Sequence, residues 1–158
     1  MNIFPNNNYT FKIIGKEGET LERLKRRTDL SESLTSKITD KSFRGLIKDN
    51  TFKIISSEIG KGAFCVLTGE IINQSGQVNV EINKAFRILL RVLLCIPFIG
   101  LIVQFFSKEF SVIFIPVAMS QVLMIRYIFI EIAFRKFSKS SLNRLGDVLD
   151  IEHIQKVR

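Results

Sequence analysis

His153 is the single histidine of the chain, and it lies in a polar stretch close to the end. In that setting neither a His-based metal set nor a Ser-His or Cys-His nucleophile pair finds supporting spacing. Two short glycine pairs, Gly15-Lys-Glu-Gly18 and Gly60-Lys-Gly62, invite comparison with phosphate loops. A P-loop needs a further glycine five positions before its Gly-Lys, where this chain has Thr10 and Ile55, so both read as turns. The carboxylates Glu58, Glu70 and Glu81 are scattered along alternating segments, as solvated positions of a half-wet sheet would be. Cys65 falls in an alternating segment and Cys95 in an apolar one, which argues against a disulfide and for a reducing compartment. These residues lead to the expectation of a non-enzymatic chain with no catalytic, cofactor-binding or metal-binding residue and no cofactor.

The charges that remain informative are those set among apolar residues. Between Phe86 and Phe134 only Arg87, Arg91, Lys108, Glu109, Arg126 and Glu131 are charged, and this block is long enough to cross a bilayer twice. Ile88 to Phe106 would span roughly 28 Å as a helix, and Phe110 to Ile130 slightly more. Only Ser107-Lys108-Glu109 separates them, so the two spans should be antiparallel neighbours in a hairpin. Lys84, Arg87 and Arg91 precede the pair, Arg135, Lys136, Lys139 and Arg144 follow it, and its tip holds Lys108 alone. By the positive-inside rule both ends of the chain are expected in the cytoplasm.

Folding the chain about Lys108 brings Arg91 and Arg126 to one depth, with Arg87 and Glu131 a turn nearer the inner surface. Arg87, Arg91, Arg126, Glu131 and Arg135 are therefore the candidate membrane-interface charges. Either they form an intramembrane cluster that handles an ion or polar substrate, or they snorkel to lipid phosphates while Glu131 pairs with Arg87 or Arg135. Pro97 and Pro116 fall inside the spans, where a fixed bend is the common outcome.

The elements that must carry these charges follow from periodicity. Tyr9 to Ile14 predicts a short strand, and residues 19–27 a helix with Leu21 and Leu24 on one face. Residues 28–41 are polar, with Leu30, Leu34 and Ile38 spaced for either a weak helix or a loop. From Ser42 the period becomes two, giving strands near 43–47, 52–54, 64–72 and 78–82, with turns at Asp49-Asn50 and Ser75-Gly76. This is an antiparallel β-meander with one apolar face, which the helix or the bilayer surface would cover. Leu142, Leu145, Val148 and Leu149 share one arc of a last helix, suited either to the inner leaflet or to packing on the sheet.

The predicted class is α+β, in three parts: a cytoplasmic β-rich domain (1–85), a two-helix transmembrane hairpin (86–136) and a cytoplasmic amphipathic tail (137–158). Composition agrees, with 46% hydrophobic residues, a mean hydropathy of +0.21 and a net charge of +8. That surplus divides as +3 before residue 86 and +5 after it, which is not a nucleic-acid binder's distribution. The run Arg23, Lys25, Arg26, Arg27 reads first as a solvated face, then as a contact for anionic lipid, and only then for nucleic acid.

The pattern Phe43-x-Gly45-x-Ile47, Asn50-x-Phe52-Lys53-Ile54, Phe64 and Gly69-x-Ile71, followed by two apolar spans, resembles small bacterial membrane proteins that place a cytoplasmic β-rich domain before a helical hairpin. The resemblance covers roughly residues 43–134 and implies architecture without an activity. The expected setting is the bacterial cytoplasmic (inner) membrane. The expected partners are the lipid bilayer, anionic lipid headgroups, and a protein partner or a second copy of the chain. An oligomeric pore-, transport- or immunity-type protein is the alternative.

Overall fold

A computed structural model describes residues 4–35, 37–58, 62–106 and 111–157. The class is α+β. The strands are β1 (Asn6–Ile13), β2 (Thr28–Leu30), β3 (Phe43–Lys48), β4 (Thr51–Ser56), β5 (Cys65–Ile72), β6 (Ser75–Ile82) and β7 (Ile151–Lys156). They form a seven-stranded sheet in the order β2-β3-β4-β5-β6-β1-β7. The predicted meander is its centre, β3 to β6, and every pair is antiparallel except β2 with β3. Residues 28–41, expected as a weak helix or a loop, instead begin with the edge strand β2.

Alternation sorts the side chains. Phe11, Ile13, Phe43, Phe52, Ile54, Cys65, Leu67, Ile71, Val78, Val80 and Ile82 are buried on one face. The other face is largely polar, apart from a small cluster of Ile55, Ala63 and Val66 beneath Leu34 and Phe86. Helix α1 (Glu17–Arg26) covers part of the apolar face, with Thr20, Leu21 and Leu24 buried.

Two helices leave the sheet and return to it. α2 (Lys84–Phe106) follows β6 directly. Asn83 caps its start, its side-chain oxygen accepting from the Ala85 N–H at 3.4 Å and its amide donating to the Leu34 carbonyl at 3.0 Å. The return is one helical rod, Phe114–Leu149, of 36 residues. It comprises α3 (Phe114–Leu123), a π-helical stretch at Met124–Ile130 and α4 (Glu131–Leu149). The tip at 107–110 lies outside the described residues, and the second helix begins at Phe114 rather than Phe110.

α4 is the principal cover of the sheet. Phe134, Ser138, Ser141, Leu142, Leu145, Val148 and Leu149 are all buried. The apolar arc read from the sequence thus meets the sheet. Residues 137–158, expected as one amphipathic tail, divide at Asp150, whose left-handed φ of 50° ends the helix and starts β7 beside β1. Phe64, at the end of the 3-10 turn Gly62–Phe64 that leads into β5, stands edge-on to Phe86 of α2 (5.3 Å) and to Phe137 of α4 (5.2 Å), tying the outgoing and returning helices to that turn.

The β5–β6 turn is at Asn73-Gln74, both with positive φ, and not at Ser75-Gly76. Gly76 is needed inside β6, where a Cβ would lie 2.2 Å from the Phe11 ring. Its lack of a side chain serves packing, and Asn73 tolerates the left-handed backbone of the turn.

Burial pushes the Cys65 thiol from its ordinary 9.0 up to about 12. Between those values the unfolded chain has lost a proton that the folded chain keeps, so stability should fall as pH rises above 9, by up to about 1.4 kcal/mol per pH unit. Urea midpoints of the full-length protein at pH 8, 9 and 10 check this. Cys65→Ala should flatten the profile, and an equally steep profile in that variant would assign the effect to other groups.

Candidate functional site: the charges where helices and sheet meet

The five candidate interface charges all lie near the junction of the helix pair with the sheet, but they do not form one cluster. Glu131, the first residue of α4, gathers two of them: Arg135 Nε donates to its Oε1 at 3.1 Å, and Arg126 Nη1 lies 3.7 Å from its Oε2. The i,i+4 pairing with Arg135 was one of the two expected for Glu131. The other was Arg87, which instead turns back to the sheet and sits 3.4 Å from Glu81. The reason is that α2 starts immediately after β6, so Glu81 is the nearer carboxylate. Arg91 stacks over the Phe4 ring at 5.8 Å.

Arg126 lies in the π-helical stretch, its guanidinium 5.6 Å over the Tyr127 ring. Its Nη1 is buried and makes no hydrogen bond among the described residues. Widened turns of this kind are concentrated at functional positions in helices.

Beside this junction runs a groove of about 400 Å³ between α4 and the β1/β7 end of the sheet. On α4 its lining is a stripe at helical spacing, Glu131, Arg135, Ser138 and Leu142, with Lys139 and Asn143 beside it. The sheet contributes Tyr9 and Lys156, which are direct cross-strand partners, with Asn7 and Ile154. Three cations meet here against one carboxylate, and Glu131 is already held by two arginines. Ser138 is 2% exposed, and its hydroxyl has no hydrogen-bond partner among the described residues.

The basic run of α1 lies elsewhere. Arg23, Arg26 and Arg27 line a cleft of about 720 Å³ with Lys41, Arg144, Asp40 and Asp147. Its cations are partly committed: Arg23 pairs with Asp150, Lys41 donates to the Arg26 carbonyl, and Arg144 donates to Ser56 Oγ at 2.9 Å. Arg144 is 14 residues beyond Ile130, about 21 Å along the helix, so this cleft is remote from the apolar helices.

The weaker sequence candidates stay apart. Glu70 and His153 lie on the open polar face of the sheet, around a cavity shared with Lys12 and Gln77. Gly60 and Lys61 lie outside the described residues. No group of three or more metal-ligating side chains occurs among the described residues.

Sequence reasoning missed Tyr9, Ser138 and Lys156 as site residues. The i,i+4 spacing of Arg135 and Lys139 was a usable signal on the helix side. The sheet side had none, because β7 was not legible. Comparison with protein families, curated proteins and solved structures finds no match.

Proposed function

We propose that this chain is a non-enzymatic, membrane-anchored binding domain of the bacterial cytoplasmic membrane, carried on the inner side by its two apolar helices. The observation that carries this reading is their exposure. Of the most apolar 18-residue stretch, 6% is buried in α2 and 17% in the second helix. A core helix of a soluble domain hides such residues, whereas Ile88, Val103, Phe105, Met119 and Phe129 all stand outward. Lipid is the solvent in which that surface costs least.

Orientation has two supports. α2 leaves β6 and α4 leads into β7, so both attached ends of the helix pair lie on the sheet's side. The same side carries Lys84, Arg87, Arg91, Arg135, Lys136 and Lys139, as a cytoplasmic face should. The five interface charges then act at the inner leaflet, Arg87 and Arg135 braced by Glu81 and Glu131, and the sheet domain faces lipid headgroups or a protein partner.

Fractionation tests this. The full-length product should remain in the membrane pellet after alkaline carbonate washing and need detergent for release, and reporters fused to either end should be active only inside the cell. A soluble product without detergent, or an external terminus, would overturn the proposal.

A further inference from the structure

We infer that the groove between α4 and the β1/β7 end of the sheet is a binding site for the phosphate of an anionic lipid headgroup in the inner leaflet. This deepens the anchoring proposal and rests on it for the nearness of the lipid.

Position comes first. A helix rises about 1.5 Å per residue, so Arg135 and Lys139 lie about 8 and 14 Å beyond Ile130. The headgroup layer of one leaflet is about 5–8 Å thick, so it reaches Arg135 at the mouth of the groove, and the long Lys139 side chain, tilted toward the helix N-terminus, extends back toward it, whereas the cleft around Arg144 is out of range. Chemistry comes second. Arg135, Lys139 and Lys156 converge from a helix and a strand, and their excess over Glu131 favours an anion. Satisfaction comes third. The Ser138 hydroxyl is buried without a partner, a costly state that a phosphate oxygen would relieve by accepting its hydrogen.

A free phosphorylated metabolite presents the same phosphate chemistry without the acyl chains, and the test separates the two. The full-length protein, purified in detergent, is titrated with phosphatidylglycerol and with phosphatidylcholine, and bound lipid is counted by native mass spectrometry, with inorganic phosphate added in a parallel series. The expected result is one phosphatidylglycerol held at least about tenfold more tightly than phosphatidylcholine, with millimolar inorganic phosphate failing to displace it. R135Q/K139Q/K156Q should lower phosphatidylglycerol affinity about 10- to 100-fold, the effect of three lost headgroup charges, and bring the preference close to one, and S138A should weaken it by a smaller factor. R26Q/R27Q/K41Q, in the remote cleft, should leave it unchanged.

An unaltered preference in the groove variant, an equal loss in the cleft variant, or displacement by inorganic phosphate would overturn the lipid assignment. Because binding is read in micelles, this outcome is independent of fractionation. A protein that pellets with membranes but shows no headgroup preference refutes the groove and leaves the anchor standing.

Discussion

Replacing Phe134 with alanine is expected to cost the sheet and its covering helix about 3–5 kcal/mol, the range for deleting a buried aromatic side chain. Phe134 is fully buried and lies one turn into α4, where the rod passes from outward-facing apolar residues to contact with the sheet. Its ring belongs to the same core as Phe43, Phe52 and Leu145. Hydrogen exchange of the detergent-solubilised protein should show lost protection in β4 and β5 as well as in α4. Phe129→Ala, at a side chain 59% exposed, should leave the sheet's protection unchanged. Equal effects of the two substitutions would show that α4 is not the sheet's cover.

Gly45→Ala should be nearly as damaging, by about 3 kcal/mol or more. Gly45 sits in the middle of β3, opposite Ile54, with φ at 150°, a conformation that side chains rarely adopt. A Cβ there would lie 2.2 Å from the Lys53 carbonyl oxygen and 2.8 Å from the Ile54 Cα, both backbone atoms that cannot step aside without opening the β3–β4 ladder. Gly18→Ala is the contrast. It lies in α1 with nothing within 4 Å of the new methyl group, and alanine should stabilise the helix by about 0.5–1 kcal/mol. Urea midpoints of the two variants should therefore move in opposite directions.

How far the sequence disclosed this architecture depended on whether periodicity was local. The central strands, α1 and the two apolar helices announced themselves, because each buries one face or exposes apolar residues all round within its own few turns. β7 did not. Register shifts between Lys12 and Ile13, so that Ile13 faces Ile151 while Lys12 faces His153, and Glu152 becomes an extra residue in the strand. Ile151 and Ile154 both pack against the core, three positions apart, and no alternation of period two survives. β2 has three residues and was too short to leave a pattern.

The site was legible to the same extent. Arg126, Glu131 and Arg135 occupy one stretch of one rod, and the structure brings them together around Glu131. Arg87 departs because a carboxylate on the preceding strand lies closer than the one across the hairpin. Tyr9 and Lys156 are 147 positions apart and become neighbours only through the pairing of β1 with β7, a non-local contact that no window of sequence reveals.

That pairing also imposes a schedule on biosynthesis. β1 leaves the ribosome long before β7, and under the proposed anchoring the entire insertion of the helical pair falls between the two events. Until α4 emerges, the strands already made carry a wide greasy surface with only α1 laid over it. Under that anchoring, membrane integration and completion of the sheet are steps of one assembly, and a block in the first should leave the newly made strands to chaperones and proteases.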